Sequence, residues 1–312
     1  MRPSQEKERP AGNINDWLEE TFSGLLSEGK GNTLEDFPAT AIFGRPIMGV
    51  AEGNDDNFEA FRSVVDPRHI RPTDFLRRQS PALDGRNLIK VVSWTLPFSR
   101  EILISNRGRE WPSELYSVAR NNGAALIHDV LGKIVRILQS HGYAAAAPAQ
   151  TDEYDAFRSP DFTFSSSWSE RHVAYAAGLG LFGLNGCLIT PLGTNARFAS
   201  LVTSLPLEVR LEKRTDYRSP CLEDGGKTCG RCLERCPVQA ISRNGLDKSK
   251  CYDRRQTIRR KFLGDYSQKF GLRPSPVVKN GLREPGFSLG CALCMSGVPC
   301  ESRPFPEEKA PR

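Results

Sequence analysis

The sequence predicts an α+β protein, in which an α/β layer domain is followed by a loop-rich domain built around cysteine. Three observations support this prediction. Strand-like and helix-like runs alternate between about residues 85 and 208, which is typical of an α/β layer structure. Eight of the nine cysteines lie between residues 221 and 300. The length of 312 residues exceeds what one hydrophobic core usually serves. We therefore expect an N-terminal extension over 1–84 that is part of the first domain, an α/β domain over 85–208 and a cysteine-rich domain over 209–312.

The first 84 residues contain few periodic segments. A helix is predicted from Ile14 to Leu26. The stretch "FGRPIMGVAEGNDDNF" is predicted to be irregular, and "DPRHIRPTDFLRRQSP" a connector with short helices. Little else about this region follows from periodicity.

The segments from residue 87 onward have clearer patterns. "NLIKVVSWTLPF" is rich in β-branched apolar residues and predicts a buried strand. A long helix is expected to begin after Pro112 and Ser113 and to stop at Gly142. "YAAAAPA" predicts a second strand and "SERHVAYAAGLG" a helix that ends at its glycines. "CLIT" and "FASLVTSLPL" predict further strands, joined by the turn "PLGTNAR".

Composition and charge limit the class of protein. The chain contains no apolar run of 18 or more residues, and its N-terminus is polar, so we expect a cytoplasmic protein without a membrane segment. Clustered cysteines in a reducing compartment are more often metal ligands than disulfide partners. Two 4Fe–4S clusters, each with a charge of about −2 including its thiolates, would bring the formal charge of +6 to roughly +2. The basic balance is therefore weak support for nucleic-acid binding.

The stretch "TCGRCLERCPVQAIS" contains the order Cys-x2-Cys-x3-Cys-Pro, which is the second half of a bacterial ferredoxin run. In that run the last cysteine binds the other cluster of a pair. The same logic divides the cysteines into two sets of four, each of which takes one ligand from the opposite motif. We predict one 4Fe–4S cluster at Cys221, Cys229, Cys232 and Cys300, and a second at Cys236, Cys251, Cys291 and Cys294.

Two alternatives accompany this prediction. Zinc sites also use Cys-x2-Cys pairs, but zinc ribbons usually bring them together at a spacing of about 15 to 20 residues. Here Cys232 and Cys291 are 59 positions apart, and Cys251 would have no role. Cys187, the ninth cysteine, is interpreted as a small buried hydrophobic residue.

Two stretches carry a resemblance to a known family. "AAGLGLFGLNGCLITPLGTNARFASLVTSLPLE" resembles the glycine-rich segment of epoxyqueuosine reductases and corrinoid-dependent reductive dehalogenases. "CGRCLERCPVQAI", "GLDKSKC" and "GCALCMSGVPC" are similar to their double-cluster domain. The resemblance implies a nitroreductase-like α/β domain that holds a base-off cobalamin, beside a ferredoxin-like domain whose two clusters pass electrons to cobalt.

The chain departs from that family in two ways. Epoxyqueuosine reductases carry a proton-donating aspartate fourteen residues before the first glycine of Gly-Leu-Gly, and the matching position here is Phe164. Those enzymes also continue past the clusters into helical repeats that grip tRNA, whereas this sequence ends 12 residues after Cys300. We therefore expect a divergent relative that acts on a small molecule rather than on tRNA.

Candidates for cofactor binding and proton transfer lie near the glycine-rich segment. Gly178, Gly180, Gly183 and Gly186 would let a bulky cofactor approach the backbone, although a helix cap and a tight turn explain glycines equally. Asp161 and Glu170 are candidate proton donors, with solvated carboxylates as the alternative interpretation. Tyr175 is a third candidate, and tyrosines at helical positions more often serve in packing.

The function that we expect is that of an iron–sulfur reductase. Low-potential electrons, donated by a ferredoxin or flavodoxin type of protein, would pass through two 4Fe–4S clusters to a reductive site in the α/β domain, where the resemblance implies cobalamin. The main alternative is a ferredoxin-type carrier without a substrate site of its own. A zinc-stabilised nucleic-acid binder is a third class, and it would be colourless.

Overall fold

The structure is a computed structural model that describes residues 12–28, 31–37, 40–83, 88–108, 110–157, 164–211, 221, 229–279 and 282–302. Within these ranges the chain is a mixture of helix and strand, as predicted. The helices are α1 (Ile14–Ser27), α2 (Asp56–Val64), α3 (Pro72–Gln79), α4 (Arg100–Ser105), α5 (Glu114–Ser140), α6 (Glu170–Ala176), α7 (Arg231–Arg235) and α8 (Lys248–Lys269). Short 3₁₀ turns cover Pro148–Gln150 and Leu293–Met295.

The strands form a main sheet and several hairpins. They are β1 (Ile47–Glu52), β2 (Lys90–Pro97), β3 (Ala145–Ala146), β4 (Ala156–Phe157), β5 (Ser165–Ser166), β6 (Leu181–Phe182), β7 (Leu188–Ile189), β8 (Ala196–Thr203), β9 (Ile241–Ser242), β10 (Gly245–Leu246), β11 (Ser275–Lys279) and β12 (Leu282–Gly286). The main sheet has the order β1-β2-β8-β3, and all of its pairs are antiparallel. The central pair runs in register from Lys90 opposite Thr203 to Pro97 opposite Ala196.

Strand β1 corrects one expectation, because the stretch "FGRPIMGVAEGNDDNF" is not irregular. It supplies β1 at the edge of the sheet and the first residues of α2. The strand contains a glycine, Gly49, and only three β-branched or large apolar residues, and this composition made it hard to recognise. Gly49 is required by packing, since a Cβ there would lie 2.3 Å from the carbonyl oxygen of Ala177.

Helix α5 is the longest element and confirms its prediction. Ser113 caps its N-terminus by accepting a hydrogen bond from the Tyr116 N–H, and Gly142 follows its end with φ of 75°. Its apolar residues pack on one face of the sheet, together with α1 and α4. Helices α2, α3 and α6 cover the other face. The sheet is therefore enclosed by two layers of helices.

The C-terminal part is less loop-like than expected. Helix α8 spans 22 residues, and Asp247 caps it by accepting a hydrogen bond from the Lys250 N–H. Few of its residues are apolar, but Ile258 and Tyr266 are buried in the same core as Trp94 and Leu131 of the α/β part. The hydrophobic core thus crosses the boundary predicted at residue 208, and the division into two domains stays a prediction.

None of the helices in the described ranges is both long and apolar enough to cross a membrane.

Candidate functional site

Two cysteine loops of the C-terminal part share an unusual backbone geometry. Each is a Cys-x2-Cys sequence whose second residue lies in the left-handed region, Gly230 with φ of 57° and Ala292 with φ of 52°. Each left-handed residue caps a short helix, which is α7 in the first loop and the 3₁₀ turn Leu293–Met295 in the second. Such loops are suited to holding adjacent corners of one cluster.

The structure brings the first predicted set of cysteines together. The thiol of Cys232 is influenced by the charges of Cys221 and Cys229, and that of Cys300 by Cys232 and Cys221. Burial and, after it, the neighbouring thiolates raise the pKa of Cys300 to about 12. All four side chains are half-buried. Cys300 therefore lies near this group although it belongs to the second motif, 71 residues later in the chain than Cys229.

The cysteines of the second predicted set also lie close enough for their charges to influence one another. Burial raises the pKa of Cys251 and Cys291, and the hydrogen bond with Cys187, followed by burial, raises that of Cys294. Cys291 is influenced by Cys236, and Cys294 by Cys291 and Cys251. Cys236, from the first motif, thus lies with cysteines of α8 and of the second motif. Among the residues that the structure describes, no three His, Cys, Asp or Glu side chains are placed to hold a single metal ion.

Backbone and side-chain donors point at sulfur in this second set. The Ala240 N–H donates to Cys236 Sγ at 3.2 Å. The backbone at Leu293 and the side chain of Arg254 hydrogen-bond to the thiol of Cys291 and lower its pKa against the effect of burial. Amide donors aimed at cysteine sulfur are one of the features that set cluster potentials. The donor set and its surroundings therefore fit a 4Fe–4S cluster.

Cys187 is buried, as predicted, but it is not an isolated hydrophobic residue. Its thiol shares a hydrogen bond with Cys294, and this bond lowers the pKa of Cys187. Cys187 directly precedes β7 and lies beside Cys294. Its sequence neighbours did not indicate this position. Cys187 thus contacts the second set without belonging to either predicted set of four.

The second cysteine loop is bonded directly to the α/β part. Asn106 and Asn185 donate their side-chain amides to the carbonyl oxygens of Cys291 and Cys294, at 3.2 and 3.3 Å. The Thr194 N–H donates to the carbonyl oxygen of Cys300 at 2.8 Å. At Gly193, with φ of 88°, a Cβ would lie 2.1 Å from the carbonyl oxygen of Glu301. These contacts fix the loop against the start of β8.

Glu170 corrects the interpretation of a solvated carboxylate. Its Oε2 accepts a hydrogen bond of 2.6 Å from Ser200 Oγ, and Ser200 accepts a bond of 2.9 Å from Trp168 Nε1. Burial raises the pKa of Glu170 to about 8, against the lowering effects of Ser200 and of the Arg197 charge. The carboxyl group is therefore mostly protonated at neutral pH and can donate a proton.

The other two acid candidates are placed differently. The ring of Tyr175 packs against Phe61 and Phe182, with ring centroids 6.5 and 6.0 Å apart. Asp161 lies outside the described residues. Phe164, at the position where the resemblance implies an acid, packs its ring against Tyr252 at 5.3 Å. Glu170 is thus the candidate acid whose surroundings the structure describes most fully.

The four glycines have local backbone reasons. Gly178, with φ of 76°, ends α6 in a Schellman motif, in which Gly178 N–H bonds to Tyr175 O and Leu179 N–H bonds to Ala174 O. At Gly180 a Cβ would lie 2.4 Å from the carbonyl oxygen of Ile189. Gly183 and Gly186 form the turn between β6 and β7, and Gly186 has φ of 68°. Their role in cofactor binding stays a prediction.

Sequence comparison relates the chain to known enzymes, although no protein-family model matches it. The epoxyqueuosine reductase of Staphylococcus aureus is 35% identical over 107 residues, which are 34% of this chain and 26% of the relative. That of Cyclobacterium marinum is 37% identical over 92 residues, 29% of this chain and 27% of the relative. This chain is related in sequence to the epoxyqueuosine reductases. The resemblance stated above is thereby confirmed, over about a quarter of the length of these relatives.

Comparison with solved structures gives matches to epoxyqueuosine reductases and to a reductive dehalogenase, each with a TM-score below 0.5. An epoxyqueuosine reductase from Streptococcus thermophilus gives a TM-score of 0.49 at 14% identity, covering 95% of this chain and 69% of that one. An epoxyqueuosine reductase with an epoxyqueuosine-modified tRNA stem loop gives 0.43 at 16% identity, covering 77% and 56%. The catabolic reductive dehalogenase NpRdhA gives 0.41 at 17% identity, covering 68% and 27%.

Proposed function

We propose that this chain is an iron–sulfur reductase, which carries electrons through two 4Fe–4S clusters to a reductive site between the sheet and α8. One observation supports the proposal: the charges of Cys232 and Cys221 act on Cys300, and the charge of Cys236 acts on Cys291, so thiols of the two motifs lie near one another. Cys300 would thus belong to the first set and Cys236 to the second. Such a crossed arrangement would hold two clusters in one small fold, as electron transfer between them requires.

The residues of this chain would have distinct tasks. Cys221, Cys229, Cys232 and Cys300 would hold one cluster, and Cys236, Cys251, Cys291 and Cys294 the other. A 4Fe–4S cluster supplies a one-electron relay. Donors to sulfur, such as the Ala240 N–H, favour the thiolate form and help to set the reduction potential. Asn106 and Asn185 fix the second loop beside the sheet, so that its distance from the reductive site is constant.

Glu170 would be the proton donor of the reductive site. Its carboxyl group accepts a hydrogen bond from Ser200, which in turn accepts one from Trp168, and it is mostly protonated at neutral pH. It would take the task of the acid that Phe164 cannot perform. A reduction consumes protons as well as electrons, so such a group is needed in addition to the clusters.

The resemblance also implies a corrinoid, whose cobalt would supply the reducing centre. Buried polar atoms at the start of β8 fit a polar ligand of this kind. Thr194 Oγ1, Asn195 Oδ1 and Arg197 Nε are buried and have no hydrogen-bond partner in the described part of the chain. Such atoms normally have a partner in the functional state. We propose a ferredoxin or flavodoxin as electron donor and a substrate smaller than tRNA.

Iron content tests the proposal through a pair of variants. Anaerobically purified protein should contain about eight iron atoms per chain and show cluster EPR signals after dithionite reduction. Cys236→Ser and Cys300→Ser should each reduce iron to about four atoms, and each should abolish a different EPR signal. Cys187→Ser is the matched control, because it removes a thiol of the same region outside both sets, and it should retain full iron. Colourless, zinc-containing wild-type protein would overturn the proposal.

A second measurement separates the reductase from an electron carrier without a substrate site. The reductase should bind cobalamin, with a shift in the visible spectrum of the corrinoid. Protein with full iron that gives no such shift would support the carrier instead.

A further inference from the structure

Four arginines from four different elements converge beside the cysteines of α8 and the second loop. They are Arg120 of α5, Arg171 of α6, Arg197 of β8 and Arg255 of α8. Burial and, after it, the charges of Arg197, Arg255 and Arg171 lower the pKa of Arg120 to about 9. The pKa values of Arg197 and Arg255 are lowered by the same two causes, burial and the neighbouring guanidinium groups. The four side chains therefore create a concentrated positive field.

Two members of this group each have a buried Nε atom that makes no hydrogen bond with the residues that the structure describes. Arg120 donates to the carbonyl and hydroxyl oxygens of Ser288, and Arg171 donates to the carbonyl oxygen of Gly186 at 3.1 Å. By contrast, the Nε atoms of Arg197 and Arg255 are buried and make no hydrogen bond within the described residues, although both side chains as a whole are half-buried. A buried guanidinium nitrogen without a partner is costly, so its hydrogen-bonding capacity is expected to be used by a ligand.

Within the described residues, the carboxyl group that acts on Arg197 contributes little negative charge to neutralise the four arginines. Glu170 lies close enough to act on Arg197, but its carboxyl is mostly protonated at neutral pH. Aromatic rings border the other side: the guanidinium carbon of Arg255 lies 5.8 Å from the centroid of Phe164. Tyr154 is near enough to influence Arg255 as well. The surroundings of Arg197 and Arg255 are thus cationic and partly desolvated, and they include the ring of Phe164.

We propose that Arg197 and Arg255 bind an oxyanion, a carboxylate or phosphate group, carried by the ligand of the reductive site. The planar guanidinium fork matches either group with paired hydrogen bonds, which are stronger than neutral ones. The inference rests on the proposed function, because it assigns a ligand class to the same site. Two sources could supply the oxyanion: a free anionic substrate, or the phosphodiester in the nucleotide tail of a corrinoid.

A different role for these arginines would be to neutralise the clusters. Arg255 is one helical turn from Cys251, and its charge lowers the pKa of that thiol. If this were its whole task, replacing it would change the reduction potential of a cluster but not the binding of any anion. The two roles therefore give different results in the same variants.

Calorimetric titration of anaerobic, iron-loaded protein with benzoate and with inorganic phosphate tests the proposal. We expect at least one anion to bind, and Arg197→Gln and Arg255→Gln each to weaken that binding about tenfold or more. Arg259→Gln is the matched control, because it removes an exposed arginine of the same helix, and it should leave binding unchanged. Iron content and circular dichroism report whether each variant is folded, and Arg→Lys versions replace any variant that is not.

Corrinoids identify the source of the oxyanion. Cobalamin contains the nucleotide phosphodiester, and cobinamide lacks it. If the variants weaken cobalamin but not cobinamide, the site binds the tail. If they weaken only benzoate or phosphate, it binds an anionic substrate. If they change neither anion nor corrinoid binding, or change only the cluster potentials, the inference is wrong. Iron-loaded wild-type protein that binds none of these ligands would overturn the inference and leave the clusters intact, whereas iron-free protein would overturn the proposed function.

Discussion

The carboxyl group of Glu170 shows how one residue acquires its chemistry from its surroundings. Glu170 is the first residue of α6, and a carboxylate at this position would ordinarily be ionised and favoured by the helix dipole. Here burial outweighs that effect and raises the pKa to about 8. The hydrogen bond from Ser200 holds the group in one orientation. A neutral acid fixed in this way is ready to donate its proton.

This raised pKa predicts a pH dependence of stability. Glu170 has an ordinary pKa of 4.5 in the unfolded chain and about 8 in the folded protein. Between these values the folded state holds a proton that the unfolded state releases, so the free energy of unfolding falls as pH rises, by at most about 1.4 kcal/mol per pH unit. Glu170→Gln, which stays neutral, should lack this contribution and become more stable than wild type towards pH 8.

Denaturant-induced unfolding of both proteins between pH 5 and about 8 measures the effect. Glu20→Gln removes an exposed carboxylate of α1 and should give a curve parallel to that of wild type. A wild-type curve that also runs parallel to that of Glu170→Gln would show that the carboxyl ionises normally.

The cysteine loops are elements whose shape depends on a left-handed residue. Gly230 has φ of 57°, and a Cβ added there would meet no atom within 4 Å. Gly230→Ala therefore introduces only the conformational cost of a left-handed L-residue, about 1 kcal/mol of unfolding free energy. The matching residue of the second loop, Ala292, already carries such a cost.

Gly264→Ala supplies a matched control for this prediction. Gly264 lies inside α8 and also has no atom within 4 Å of a Cβ, so the same substitution should stabilise the protein by about 1 kcal/mol. Denaturant titration of the holoprotein should show shifts of opposite sign. Equal shifts would mean that the left-handed geometry of the first loop is not maintained in solution.

At the element scale, the elements that could be predicted are those with caps and apolar periods in their own sequence. Helix α5 could be predicted because Ser113, its apolar period and Gly142 all indicate the same helix. Helix α8 has few apolar residues, and its burial depends on contacts with distant parts of the chain, so no local pattern indicated them. The assignment of the cysteines to two crossed sets stays a prediction from their spacing, which rests on the geometry that a cluster imposes on short loops. The converging arginines could not be predicted, since they come from four elements that only folding brings together.

At the scale of the whole molecule, one hydrophobic core joins three regions of the chain. Leu18 of α1, Trp94 of β2 and Ile258 of α8 are all fully buried within it. The cysteine loops are bonded to the same body through Asn106 and Asn185. Among the described residues, α8 of the part that would hold the clusters and the sheet of the part that would hold the reductive site therefore share one core. We expect them to unfold together.

Ile258→Ala tests this coupling, because it removes a fully buried side chain from α8, at a distance of seven residues in sequence from the nearest cysteine, Cys251. The substitution should cost roughly 2 to 5 kcal/mol. It should lower the midpoints of helix melting, followed by far-UV circular dichroism, and of cluster loss, followed by visible absorbance, by the same amount. Ile104→Ala, at a side chain that is 47% exposed, should leave both midpoints nearly unchanged. If the absorbance disappeared at an unaltered temperature while the helices melted earlier, the cluster region would be an independent folding unit, and the shared core would not couple the two sites.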